Sequence, residues 1–110
     1  MDGGLEYEAN APLEGPYHNI IRVDFLVHGK RTNSAILTLS SQSSTTAHNL
    51  ANEVFRKWHD LAIPTRPEQR VTVWDDRYDT YREDDLARLA TYSQVLALSD
   101  RQEIVQLVAA

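Results

Sequence analysis

Four histidines are the strongest nitrogen ligands for a metal ion in this sequence, and their spacing argues against a shared ion. His18 and His28 lie ten residues apart in a predicted strand, which separates them by roughly 33 Å. His48 and His59 share a face of a predicted helix, but eleven residues place them roughly 16 Å apart. The chain also has no cysteine. We therefore expect no metal site and no cofactor.

An acidic run occupies the stretch from residue 75 to residue 85. Its carboxylates are those of Asp75, Asp76, Asp79, Glu83, Asp84 and Asp85. A calcium loop needs a glycine at its sharp bend and a closing Glu at a fixed spacing. This run contains no glycine, and Arg77 and Arg82 interrupt it. The run predicts either a solvated, self-paired loop or a contact surface for a basic partner.

The sequence carries no recognisable catalytic signature. Its serines and threonines concentrate in a predicted turn and helix cap, where such residues have structural roles. No G-x-S-x-G elbow, phosphate-binding loop or dinucleotide fingerprint occurs. The sequence therefore predicts a protein that is not an enzyme.

Length, charge and hydropathy narrow the class of protein. The chain has 110 residues, which suits one domain, and a formal net charge of -5. Direct nucleic-acid binding is disfavoured because phosphate neutralisation needs clustered Lys and Arg. The sequence contains neither a long apolar segment nor the charged and apolar regions of a signal peptide. We expect a cytoplasmic protein without membrane insertion.

The chain divides into a tail and one domain. Residues 1–17 contain no Lys or Arg and four acidic residues, and no apolar period is evident. They predict a flexible acidic tail, with ordering against a partner left open. Residues 18–110 form the predicted domain.

Two alternating segments open this domain. Residues 18–28 and 34–41 alternate apolar and polar side chains, and a polar turn separates them, which predicts a β-hairpin. The first strand would place Ile21, Val23, Phe25 and Val27 on one face.

A helix should follow, capped by Ser44 or Thr45 and ended by Pro64. Its spacing predicts an apolar stripe that lies across a sheet. The stripe consists of Ala47, Leu50, Val54, Trp58 and Leu61.

The second half of the domain holds a third strand, a short helical element and a last segment that fits two kinds of element. Residues 70–75 predict a third strand with Val71 and Val73 facing the helix and Trp74 facing away. Residues 85–92 suit a short helix or 3₁₀ turn. Residues 103–108 fit a terminal strand, which we favour because it would fill a central position in the sheet. A last helix after Asp100 is the alternative.

This order of elements resembles the ubiquitin-like β-grasp family. The stretches AIPTRPEQRVTV and DLARLATYSQVLALSDRQEIVQLV look like the helix exit, third strand, short turn and last strand of such proteins. The resemblance covers about residues 18–108 and is nearest to small ubiquitin-like proteins of bacterial type VII secretion loci. It implies an α+β domain with a mixed sheet of four to five strands around one long helix.

The resemblance also implies a function. Ubiquitin-like proteins commonly bind partners through the sheet face that points away from the helix. If the strand phases are right, the residues on that face are Ile20, Leu26, Trp74 and Val108. The chain ends in Val-Ala-Ala and lacks the diglycine that conjugation needs. The leading expectation is a non-enzymatic adaptor that docks on a protein partner.

A second expectation belongs to a different class of protein. The acidic run could present carboxylates where phosphates would sit. The chain would then be a small acidic inhibitor, of a type that a phage could encode, of an enzyme that binds nucleic acid. Such binding would weaken steeply with salt, whereas hydrophobic docking would not.

Overall fold

A computed structural model describes residues 6–15, 18–61 and 69–109, which form an α+β domain with a five-stranded mixed sheet and three helices. The strands are β1 (Glu6–Glu14), β2 (Ile20–His28), β3 (Asn33–Leu39), β4 (Gln69–Trp74) and β5 (Gln94–Ala97). The helices are α1 (Ser44–Asp60), α2 (Glu83–Leu89) and α3 (Arg101–Val108). Within the described ranges, no helix is long and apolar enough to cross a membrane.

The strands lie in the sheet in chain order, from β1 at one edge to β5 at the other. β1, β2 and β3 form an antiparallel meander. β3, β4 and β5 are parallel, and α1 and α2 connect them. The predicted hairpin of β2 and β3 is confirmed. The carboxyl ends of the three parallel strands meet at one end of the sheet.

The face of the sheet that α1 and α2 cover carries the larger hydrophobic core. The predicted apolar stripe of α1 is confirmed: Ala47, Val54, Trp58 and Leu61 are buried, and Leu50 is partly buried against the same core. Ser43, one residue before the predicted caps, is the N-cap and accepts a hydrogen bond from Thr46 N. The prediction of one long helix is not met: α1 has 17 residues and is not long, and two shorter helices accompany it.

The opposite face carries a second core beneath α3; we call this face the outer face. The buried residues of this core are Val27, Ile36, Val71, Val73 and Val108. Ile36 belongs to it while its neighbours Ala35 and Leu37 belong to the first core, as the alternation of a strand requires. The sheet therefore has a covered region on each face.

The prediction of a terminal strand at 103–108 is wrong, because residues 101–108 form α3. Ile104, Leu107 and Val108 lie on one side of the helix and pack on the outer face. The helix buries Val71 and Val73 of β4, which a sixth strand in its place would leave in water. The helix begins after Asp100, as the alternative required, but no capping hydrogen bond from the Asp100 side chain forms among the described residues.

The prediction of a flexible tail over 1–17 is wrong for Glu6–Glu14, which form β1 along the whole of β2. Ala11 and Leu13 are buried against the α1-side core. The sequence shows no continuous apolar alternation here, because Tyr7 lies on the outer face whereas Ala11 and Leu13 lie on the α1 side. Residues 1–5 and 16–17 lie outside the described residues.

Candidate protein-docking surface

Large hydrophobic side chains remain exposed mainly on or beside the outer face. Those that stay exposed in the described ranges are Tyr7, Ile20, Phe25, Tyr78, Leu98 and Val105. The first three lie on the β1–β2 ribbon, and Val105 lies on α3. Tyr78 and Leu98 follow β4 and β5 at the carboxyl end of the parallel strands. This distribution makes the outer face the candidate docking surface.

Tyr7 and Phe25 form an aromatic pair on this surface. Tyr7 is directly opposite Val27, and Phe25 is directly opposite Ile36. Residues directly opposite each other in a sheet share a face, so both rings lie on the outer face. Their centroids are 6.0 Å apart and the ring planes meet at 67°. The rings contact each other yet remain 54% and 38% exposed, which leaves apolar area for a partner.

A change of face within β1 and β2 places Phe25 there. Val23 lies in the α1-side core, whereas Phe25, two residues later, is paired with the outer-face residue Ile36. Asn10, in the facing strand, has a φ of 51°. Between Val23 and Phe25, the Asp24 carboxylate accepts hydrogen bonds from Thr38 N at 2.7 Å and Thr38 Oγ1 at 2.9 Å. The Asp24 side chain thus replaces a backbone hydrogen bond between β2 and β3. The strict alternation predicted for residues 21–27 is interrupted at this point.

The residues expected at the docking face are not brought together. Ile20 is exposed, as expected for a contact residue. Leu26 is buried in the α1-side core, and Val108, on α3, is buried between that helix and the sheet. Trp74 packs on the α1-side core, with its ring 6.3 Å from that of Tyr81. Of the predicted set, Ile20 alone is exposed to solvent on the β1–β2 ribbon.

The side chains of β4 lie on the opposite faces from those predicted, and Trp74 therefore lies on the α1 side. Val71 and Val73 face α3, so Thr72 and Trp74 face α1. Trp58 Nε1 donates a 2.8 Å hydrogen bond to Thr72 Oγ1, which makes a threonine acceptable in the core. The two valines indicate that one face of β4 is buried. They do not indicate whether that face packs against α1 or against α3.

The first acidic residue of the 75–85 run has an internal role. Asp75 is buried, and its carboxylate accepts hydrogen bonds from Ser40 Oγ and from Arg77 N, Nε and Nη2. The bonds from Arg77 hold the pKa of Asp75 far below its usual range, and those from Ser40 add to this. The pKa of Arg77 is raised by the same pair. The pair fixes the end of β4.

The other acidic residues divide into internal and exposed ones. Asp76 accepts hydrogen bonds from Ser99 N and Oγ, which lower its pKa. Asp85 is buried and bonds to His48 Nδ1 at 2.9 Å and Arg88 Nη2 at 3.1 Å. The exposed ones are Asp79, Glu83 and Asp84. The predicted acidic contact surface is therefore reduced to half of its residues.

We expect Asp75 to make stability depend on pH. Its folded pKa is depressed, so its contribution is present above the pKa of an unfolded aspartate, about 3.9, and is lost as the pH falls further. Asp75→Asn should lower the melting temperature at pH 7, and the difference from wild type should shrink below about pH 4. The measurement is thermal unfolding between pH 2 and pH 7. Asp84→Asn, at an exposed site, is the control and should change little; a constant difference across the range would contradict the assignment.

A small cleft of about 220 Å³ lies at the carboxyl ends of β3 and β4. Its apolar lining is Leu39, Val73 and Leu98, and Arg77 is part of its wall. The cleft is lined also by Thr38, whose hydroxyl and N–H bond to Asp24. Thr38 therefore links the wall of the cleft to β2, the strand that carries Phe25.

Each histidine is in a hydrogen-bonded pair of its own. His18 contacts Glu14, His28 contacts Glu8, His48 contacts Asp85 and His59 contacts Tyr92. In the part of the chain that the structure describes, no group of three or more His, Cys, Asp or Glu side chains could hold a metal ion.

Comparison with models of known protein families and with curated proteins finds no match for this chain.

Proposed function

We propose that this protein is a non-enzymatic interaction module that docks on a protein partner through its outer face, with Tyr7 and Phe25 as the central contacts. The observation that carries the proposal is the exposed aromatic pair, with Ile20 further along β2. Aromatic side chains surrounded by smaller apolar and polar groups are typical of the centres of small interfaces.

The chemistry of the outer face supports recognition more than catalysis. Two carboxylates of this region already have partners: Asp24, next to Phe25 in β2, bonds to Thr38, and Asp75, after β4, bonds to Ser40 and Arg77. Groups with fixed internal partners rigidify a surface without offering a nucleophile or base. A rigid apolar contact needs little ordering when a partner binds.

The ubiquitin-like β-grasp assignment stays a proposal about the fold. The strands follow chain order, β5 lies at an edge, and α3 replaces the predicted terminal strand. The proposed function is therefore inferred from the surface and not from the fold family. The adaptor role does not require that assignment, because sites and not folds determine function.

The experiment compares capture by wild type with capture by two charge variants. Phe25→Asp places a carboxylate in the aromatic pair, and the control Ala87→Asp places one on an exposed site of α2. We expect a partner from source lysate to be retained by wild type and by Ala87→Asp but lost by Phe25→Asp. With the purified partner, Phe25→Asp should weaken affinity about thirtyfold or more, as for a central interface residue.

Salt dependence separates this proposal from the acidic inhibitor. Docking through Tyr7 and Phe25 should change little between low and moderate salt, whereas carboxylate mimicry should weaken steeply. The docking proposal fails if Phe25→Asp and Tyr7→Ser, both with native circular dichroism, bind as wild type does. It also fails if neutralising Glu83 and Asp84 abolishes binding while those two variants do not.

A further inference from the structure

A groove of about 350 Å³ lies on the side of the molecule opposite the outer face. Its lining residues are Asn52, Phe55, Arg56 and His59, all on α1. These positions are spaced by three, four and seven residues from Asn52, so they form one stripe about 10 Å long. α2 and the residues after it supply Arg88 and Tyr92 to the same region.

The polar groups of the groove are hydrogen-bond donors. Arg88 Nη2 donates to Asn52 Oδ1, so the amide NH₂ of Asn52 remains available. The Tyr92 hydroxyl lies 3.0 Å from His59 Nδ1; when Tyr92 donates this bond, the proton of His59 is on Nε2. Arg56 is exposed and pairs with no carboxylate among the described residues. Three donors therefore lie along one helix face.

No carboxylate is among the groove's lining residues, and Arg56 gives the lining a positive charge although the chain carries -5. Glu53 and Asp60 lie three and four residues from Arg56 on α1 but do not line the groove. Asp85 of α2 is buried and already bonded to His48 and Arg88. Local charge, more than the total, determines which ligand a groove attracts. An anion is the complementary ligand.

Aromatic rings form the apolar part of the groove. Phe55 lies 5.4 Å from Tyr92 between ring centroids, and Tyr92 lies 5.7 Å from the His59 ring. The Arg88 guanidinium is 5.6 Å from the centre of Phe55. These contacts hold Phe55 in place at the surface. A flat ligand can therefore stack there with little loss of side-chain freedom.

We propose that this groove binds a nucleoside monophosphate. The phosphate contacts Arg56 and His59, since guanidinium and imidazole donors suit phosphate oxygens. The base lies against Phe55, and the Asn52 amide donates to an acceptor on the edge of the base. The volume of the groove is within the range of small-molecule sites. This site is separate from the docking surface and does not depend on it.

The experiment is an NMR titration of the ¹⁵N-labelled full chain with AMP. Amide shifts should cluster in residues 52–59 and near Tyr92, with a dissociation constant below about 1 mM. Arg56→Gln should weaken binding about tenfold, because one charge-assisted hydrogen bond is lost. Phe55→Leu should weaken it by a similar factor, because stacking is lost.

Two matched comparisons make the result decisive. Arg82→Gln removes the same charge from an exposed site before α2 and should leave affinity unchanged. Inorganic phosphate should bind more weakly than AMP and should respond to Arg56→Gln but not to Phe55→Leu. The proposal is overturned if AMP shifts no amide in 52–59 at millimolar concentration, or if Arg82→Gln matches Arg56→Gln. It is equally overturned if phosphate alone binds as tightly as AMP.

Discussion

Trp58→Ala is expected to lower the free energy of unfolding by about 4 kcal/mol, the range for removing a fully buried aromatic side chain. Trp58 has no exposed surface and packs in the α1-side core. Its Nε1 bonds to Thr72 Oγ1, which lies 2.7 Å from Ser93 Oγ, and Ser93 Oγ donates to Leu89 O at 2.8 Å. The indole thus connects α1 through β4 to the end of α2. A domain of this size has a total stability of about 5–15 kcal/mol, so the variant should be close to unfolding.

Urea denaturation followed by fluorescence and circular dichroism is the measurement. Trp58→Phe keeps an aromatic ring and should lose roughly 1–3 kcal/mol, partly from the smaller volume and partly from the lost hydrogen bond. Thr72→Val, alone and combined with Trp58→Phe, gives the coupling between the two side chains. A loss below about 1 kcal/mol for Trp58→Ala would contradict the placement of this residue at the centre of the core.

Val108→Asp is expected to release α3 from the sheet. Val108 is buried with Val27, Ile36, Val71 and Val73, and an ionised carboxylate in that cluster would have no partner. An isolated helix of eight residues is not stable in water, so the whole segment should lose its structure when its contact fails. The larger α1-side core does not include α3, so the sheet should stay folded.

Hydrogen exchange read by mass spectrometry distinguishes local release from global unfolding. Amides of 101–108 should lose protection in Val108→Asp, while β2, β3 and α1 keep theirs. Val105→Asp makes the same change on the same helix at a position that is 53% exposed, and it should keep α3 protected. Equal exchange of 101–108 in the two variants would show that burial of Val108 does not hold α3.

The sequence alone determined the parts of the fold that depend on local pattern. The hairpin follows from alternation in 20–28 and 33–39, and α1 follows from the 3.6-residue spacing of Ala47, Val54 and Trp58. These patterns report how each segment buries its own apolar side chains, and that requirement holds whatever the neighbours are. The existence of a short helix within 85–92 was predictable for the same reason.

Tertiary structure decided which face each residue joined, and with it the candidate site. The sequence shows that Val71 and Val73 share an apolar face. Only the tertiary structure shows that this face packs against α3, so that Trp74 lies on the α1 side. Alternation with a period of two assigns the side chains of a strand to two faces. It does not show which element packs on either face. Phe25 likewise lies exposed on the outer face because β2 changes face at Asp24, whose carboxylate bonds to Thr38, fourteen residues away; no local pattern records that bond. Residues 104–108 form a helix that packs on the valines of β4. That apolar surface exists only once β4 has joined the sheet.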